Sequence, residues 1–361
     1  KDLMIDMQGN WGNTLTGDRA AAARYIEARL SKFALHIAFN AKTTKWLSSY
    51  DGRNKEPENL PVKFPLLLAQ GAEGIAVGLA CKIMPHNFIE LIEQSINHLR
   101  GKKVTILPDF PNGGMADFSN YNDGLRGGKI RVRAKIIKKD SKTLVVNEVP
   151  YGTTTTLIES ILKANDKGKI KIRKVEDNTA AIAEVIIHLA PGVSPDKTMD
   201  ALYAFTDCEV SISPNSSVID GEHPRFMGMT EILRSNTDTT VDLLRQELEI
   251  RLDELERQWH FSTLEKIFIR EEMYIDFKKH SNKETLFVYL YDAFKPFAKD
   301  FIREIVDEDL QKLTQIPMIR ITRFDSDKAD DTIAKIEEEI SRVKENLENL
   351  IEFAIEYFKD I

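Results

Sequence analysis

The chain contains only two cysteines, Cys81 and Cys208, among 361 residues. Two thiols cannot build a disulfide framework, so a reducing compartment is expected. No secretory signal opens the sequence. Long hydrophobic runs are missing as well. The most apolar stretch, Leu66 to Met84, is interrupted by Gln70, Glu73, three glycines and Lys82, which is not the text of a membrane span. Together these absences point to a cytoplasmic protein. The seven histidines are scattered, no His-Glu-x-x-His occurs, and the basic half holds no tight carboxylate cluster, so no metal site is expected here. A Gly-x-x-x-x-Gly-Lys-Ser/Thr loop is also absent, which removes the usual cradle for nucleotide phosphates.

Charge is abundant but unevenly spread. The net charge is −7. Residues 1–200 carry 29 basic and 22 acidic side chains, a net +7, and the remainder carries 21 and 35, a net −14. A basic first part joined to an acidic second part suits a DNA-facing region attached to one that keeps away from phosphates. The length suits two or three domains, and 42% hydrophobic residues can bury a sizeable core. The chain opens at Lys1 without methionine and reads as mid-domain text, so a fragment is expected.

Periodicity divides the chain. Leu3 to Met7 reads as a short strand, followed by a glycine-rich turn and a helix from about Ala20 to Phe39. Beyond residue 40 the text is mixed α/β. Lys129 to Ile136 alternates strictly between basic and apolar residues, the period of a half-buried strand. Thr143 to Val149 and Ile182 to Leu189 are further strand candidates. After residue 230 the character changes. Val241, Leu244, Leu248, Leu252, Leu255 and Trp259 are spaced by three and four, as are Ile333, Ile336, Ile340, Val343, Leu347, Leu350, Ala354, Tyr357 and Ile361. Two such seams, far apart in sequence, predict an antiparallel coiled-coil arm. Between them lie nine rings: Phe268, Tyr274, Phe277, Phe287, Tyr289, Tyr291, Phe294, Phe297 and Phe301. These suit a small globule, and some are expected on a dimer surface, because so small a body cannot bury them all.

One dipeptide carries chemistry. Arg24-Tyr25 follows a run of alanines. Phenols titrate near ~10, so a neighbouring guanidinium both stabilises a phenolate and offers a planar fork to phosphate oxygens. Ile75, between glycines in Gly74-Ile75-Ala76-Val77-Gly78, suits either a core position or a wedge between base pairs. Lys42, Lys45, Arg126, Lys129, Arg131, Arg133 and Lys135 are candidate phosphate contacts, since the alternating strand would present a row of cations. Lys163, Lys167, Lys169, Lys171, Arg173 and Lys174 form a second basic cluster, and His86 reads as a hydrogen-bonded core residue.

Six segments in order carry a family likeness: Gln8-Gly9-Asn10-Trp11-Gly12 through Arg24-Tyr25; Pro61 to Leu68 with Gly71 to Gly78; Ile83 to Asn87; Asp109 to Gly114; Gly124 to Gly128; and Glu148 to Tyr151. Together they resemble the A subunit of bacterial type IIA DNA topoisomerases, with wording nearest the topoisomerase IV branch. Leu66, Gln70 and Met84 depart from the family's common text. The resemblance implies an α+β fold: a truncated winged-helix segment over residues 1–40, a tower domain over 41–230, and coiled-coil arm helices over 231–263 and 326–361. A helical C-gate dimerisation globule over 264–325 would separate the arms. It implies that Tyr25 is the nucleophile, Arg24 its electrostatic partner and Ile75 an intercalating wedge. It also implies double-stranded DNA as partner, a homodimer closed at the C-gate, and a B subunit supplying Mg2+ and ATP in an A2B2 complex near the nucleoid. On this reading the isolated fragment is inactive, and gyrase and topoisomerase IV stay undistinguished. The rival reading is a non-catalytic DNA-binding scaffold with a coiled-coil arm.

Overall fold

The computed structural model describes residues 3–221, 223–322 and 326–361. The chain divides into two compact units, one running to Thr240 and including Tyr357–Ile361, the other Val241–Glu356. The architecture is α+β with one long helix. The expected boundary at residue 325 falls outside the described residues.

The first unit begins with β1 (Ile5–Gln8) paired antiparallel to β2 (Glu27–Leu30), Ile5 opposite Leu30 and Gln8 opposite Glu27. Helix α1 (Lys32–Ala38) follows, its start capped by Ser31 Oγ accepting from the Ala34 N–H at 3.0 Å. The expectation of one helix from Ala20 to Phe39 is therefore corrected. Alanine favours a helix by only a fraction of a kcal/mol per residue, about 0.7 at most against ordinary residues. Here the Ala21 N–H donates to Asn10 O instead, at 2.9 Å, and residues 27–30 spend their backbone bonds on β1.

Two hairpins come next, β3 (Trp46–Ser48) with β4 (Lys55–Pro57), and β5 (Ala72–Ala76) with β6 (Leu79–Ile83), with helix α2 (Leu66–Gln70) between them. Helix α3 (Phe88–Leu99) is capped by Asn87. Then β7 (Met115–Asn120), β8 (Lys129–Arg133) and the later β13 (Glu209–Ile212) form a three-stranded antiparallel sheet centred on β8. Strands β9 (Lys135–Asp140), β10 (Thr143–Glu148), β11 (Ile172–Asp177) and β12 (Val185–Leu189) form a second sheet in the order β11-β12-β10-β9. Helices α4 (Thr154–Asp166) and α5 (Pro195–Phe205) supply Leu157, Ile161 and Leu202 to its core. A short pairing of β14 (Val218–Asp220) with β15 (His223–Arg225) precedes the long helix.

The basic–apolar alternation of 129–136 is present, but it serves two sheets. Ile130 and Val132 lie in the core shared by Phe64, Leu68 and Leu91, whereas Ala134 and Ile136 lie in the core of the four-stranded sheet.

Helix α6 (Met229–Arg270) starts on Asp123, whose carboxylate accepts from the Thr230 N–H at 3.2 Å and the Thr230 hydroxyl at 3.1 Å. In the second unit, residues 241–270 of α6 lead to α7 (Lys283–Phe294), α8 (Asp307–Thr314) and α9 (Met318–Thr322). Helices α10 (Ser326–Glu348) and α11 (Leu350–Asp360) return. Lys266 pairs with Asp330, Trp259 Nε1 donates to Glu337 at 2.8 Å, and Lys344 meets Glu256 at 3.0 Å. Partner numbers fall as α6 rises, so the helices are antiparallel. Leu248, Leu255, Ile336, Ile340 and Val343 fill the seam, as the heptad spacing predicts.

The nine rings singled out in the second unit gather in one cluster. Phe268, Phe287 and Phe294 are buried, and the other six rings pack half-buried against the same cluster. The exposed large apolar side chains there are aliphatic: Ile275, Val288, Ile302 and Met318 among them. Rings close on rings, with Phe268–Phe277 centroids at 5.6 Å and Phe294–Phe301 at 6.0 Å, so the rings cover one another. Among the described residues no helix is long and apolar enough to cross a membrane.

Candidate active site

Tyr25 ends a one-turn 3-10 segment, Ala23–Tyr25, that buries none of its residues. Its side chain is 65% exposed, and among the described residues its hydroxyl has no hydrogen-bond partner. The Arg24 guanidinium carbon stands 4.5 Å from the ring centroid. The two groups the sequence singles out are therefore together and open to a ligand.

The glycine-rich text before them is the mould for this turn. Gly9 has φ +88°, and a β-carbon there would lie 2.7 Å from Tyr25 O. Only glycine lets the chain leaving β1 pass so close to the tyrosine backbone. Gly12, at φ +83°, would put a β-carbon 2.5 Å from Asp18 O. Trp11 Nε1 donates to Gln8 O at 3.0 Å, the Asn13 N–H to Asp18 O at 3.0 Å, and Thr16 Oγ1 to Asp18 Oδ2 at 2.6 Å.

Ile75 lies near the end of β5, opposite Ala80, beside a turn at Val77-Gly78 where Gly78 has φ +76°. It is 92% exposed, so it is no core residue. Val77, two positions on, is 103% exposed. Sequence reasoning passed over Val77, although an aliphatic pair on either side of Ala76, just before Gly78, was a visible signal. Tyr50, fully exposed beyond β3, was passed over too.

The basic residues divide into two groups. Arg131 contacts Asp117 at 2.7 Å, Arg133 contacts Glu209, and Lys135 contacts Glu148 at 2.8 Å. The first two are cross-strand partners in register on β7 and β13. A row of unopposed cations is thus not what β8 presents, because each flanking strand supplies a carboxylate. Hydrogen bonding from Arg131, then from Ser119, holds the Asp117 carboxyl well below its ordinary range. Lys45 pairs with Glu58 at 2.7 Å, and Lys42 is exposed. Arg126 and Lys129 are exposed and form no ion pair among the described residues. In the second cluster, Lys163, Lys167 and Lys169 line a groove of about 620 Å³ with Glu159 and Asp207, and Lys169 lies over the Phe205 ring.

His86 is buried, and its Nδ1 donates to Leu68 O at 3.1 Å. Burial lowers its pKa to about 4, so the ring is neutral. Among the described residues no group of three or more His, Cys, Asp or Glu side chains is placed to hold a metal ion. These side chains do not make a metal centre by themselves, and no chemical step is assigned to one.

Comparison with known proteins bears on this geometry. The family model for the A subunit of DNA gyrase/topoisomerase IV matches residues 1–359. The chain is 37% identical over 358 residues to the A subunit of DNA topoisomerase 4 from Borreliella burgdorferi, covering 99% of the chain and 57% of that relative. It is 30% identical over 348 residues to the DNA gyrase A subunit of Brachyspira hyodysenteriae, covering 88% and 41%. With the topoisomerase 4 A subunit of Staphylococcus aureus the identity is 27% over 402 residues, covering 99% and 50%. The chain thus spans about half the length of the relatives it matches. An open tyrosine–arginine pair, a glycine mould shaped to it and a match along nearly the whole sequence lead to one assignment: this chain belongs to the family of DNA gyrase/topoisomerase IV A subunits.

Proposed function

We propose that the chain is the DNA-breaking and rejoining part of a type IIA topoisomerase A subunit of the topoisomerase IV kind. The observation that carries this is the exposed Tyr25 hydroxyl beside Arg24, on a loop that glycines hold in place. Tyr25 Oη attacks a backbone phosphorus, an O–P bond forms, and the bond to the 3′ oxygen breaks. The phenolic proton is lost to solvent or a base, and the 3′ oxygen gains one. The phosphotyrosyl ester keeps the phosphodiester's energy, so the reverse attack reseals the strand without nucleotide. Arg24 stabilises the negative charge that builds on phosphorus oxygens.

Ile75 and Val77, on an exposed hairpin tip, suit insertion between base pairs. Arg126 and Lys129 are the first candidates for phosphate contacts. The cations paired on β8 exchange partners at small cost, since exposed ion pairs are worth about 0–1 kcal/mol. Mg2+ and ATP come from a B subunit, two copies of this chain and two of that partner form the complex, and the globule of the second unit closes the homodimer. Residues 1–40, 41–230 and the later arms then correspond to winged-helix, tower, coiled-coil and C-gate parts.

The test is a denaturant-stable protein–DNA adduct, formed on end-labelled duplex by the protein in complex with its metal-bearing partner. Tyr25→Phe should abolish the adduct, and Arg24→Ala should slow its formation by about 10²–10³-fold. An adduct that survives Tyr25→Phe would exclude the mechanism. DNA binding with no adduct in the unmodified protein would favour the scaffold reading instead.

A further inference from the structure

The loop that carries Tyr25 has one point of burial, and it lies away from the tyrosine. Leu15 is the one buried side chain among the described residues 3–33. It belongs to the core of the four-stranded sheet, with Leu157 and Ile161 of α4, and not to the core that takes in Ile37 of α1. Around Leu15 the loop is fastened to the start of α4. The Thr154 N–H donates to Leu15 O at 2.9 Å, so a loop carbonyl satisfies a helix-start donor that has no partner within the helix. Thr155 Oγ1 donates to Thr16 O at 2.7 Å. Gly17, at φ +88°, lies against Thr153, and a β-carbon there would meet the Thr153 methyl at 3.2 Å.

Backbone bonds continue from this clip toward the nucleophile. The Gly17 N–H donates to Asn13 O at 2.8 Å, the Ala21 N–H to Asn10 O at 2.9 Å, and the Tyr25 N–H to Ala22 O at 2.9 Å. The 3-10 turn itself buries nothing. Its place is therefore set by what holds the loop on either side: the β1–β2 pairing and the attachment at Leu15 and Thr16.

We infer that Leu15 and Thr155 are positioning residues for Tyr25, fixing the phenol's stance by clipping its loop to the start of α4. This rests on reading Tyr25 as the nucleophile. Removing the Thr155 hydroxyl deletes one bond and leaves shape and volume nearly unchanged. A misplacement of about 1 Å at a reacting group costs about 10²-fold in rate, so loss of one of several fastenings should cost about 10-fold.

The experiment compares Thr155→Val and Thr155→Ser in the assembled enzyme with Mg2+ and labelled duplex. Single-turnover adduct formation, DNA affinity and amide exchange at Ala21 and Asn13 are read for each. Thr155→Val should slow adduct formation about 10-fold, keep affinity unchanged and speed exchange at both amides. Thr155→Ser should restore the rate. Adduct formation at the unmodified rate in Thr155→Val overturns the inference. So does a parallel loss of affinity and rate that serine does not rescue. Tyr25→Phe runs alongside. If it keeps the adduct, the nucleophile reading fails, while faster exchange at Ala21 in Thr155→Val still supports the clip and unchanged exchange overturns it.

Discussion

At the scale of single residues, the sequence announces chemistry more readily than it announces contacts. Arg24 and Tyr25 stand out in the sequence by residue type, and the structure leaves the two side chains together and exposed, as the proposed role needs. The carboxylates facing Arg131 and Arg133 were not legible, because Asp117 and Glu209 reach them only through strand register. His86 belongs to the legible group, a hydrogen-bonded core histidine as its type suggests. A carbonyl can only accept, so Nδ1 carries the proton shared with Leu68 O. The buried Nε2 has no partner. Its folded-state pKa of about 4 lies below the ordinary 6.5. As pH falls between those values the unfolded chain takes up a proton that the folded chain refuses, so stability is lost through that window, by at most about 1.4 kcal/mol per pH unit. Urea midpoints at pH 7 and pH 5 should fall further for the unmodified protein than for His86→Asn. Equal falls would show that His86 does not titrate in this way.

Among the elements, length and period decided what could be read. The heptad seams of α6 and α10 announce themselves over many turns, and Leu248, Leu255, Ile336 and Ile340 fill the expected core. The alanine run before Arg24 misled for the opposite reason. Four residues of good propensity are outweighed once Asn10 O claims the Ala21 amide and β1 claims residues 27–30. The Ser31 cap was the better signal for where the helix starts. The β5–β6 hairpin is intermediate: its glycines mark a turn, but only the structure separates an exposed Ile75 from a core one. Apolar wedges between base pairs bend a duplex by about 20–90°, and the proposed role makes Ile75 such a wedge. Ile75→Ala should therefore reduce the bend measured by end-to-end energy transfer in bound DNA and alter affinity much less. A bend of undiminished size would remove Ile75 from this role.

For the whole molecule, the division of charge was the most useful global quantity. The net −7 conceals a +7 in the first 200 residues. Binding through phosphate contacts releases counterions, at about 0.9 per contact on duplex DNA. Plotting the logarithm of affinity against that of salt should give a steep negative slope. The double substitution Arg126→Ala with Lys129→Ala should flatten it by about 2. An unaltered slope would place the DNA elsewhere.

The stretch from Lys129 to Ile136 has a consequence of its own. One uninterrupted alternation lends Ile130 and Val132 to one core and Ala134 and Ile136 to the next. Adding or deleting a single amino acid there would flip inside for outside downstream, driving lysines into one hydrophobic interior while the other kept its lining. The segment acts as a hyphen whose length both neighbours dictate, which leaves it little room to drift by insertion.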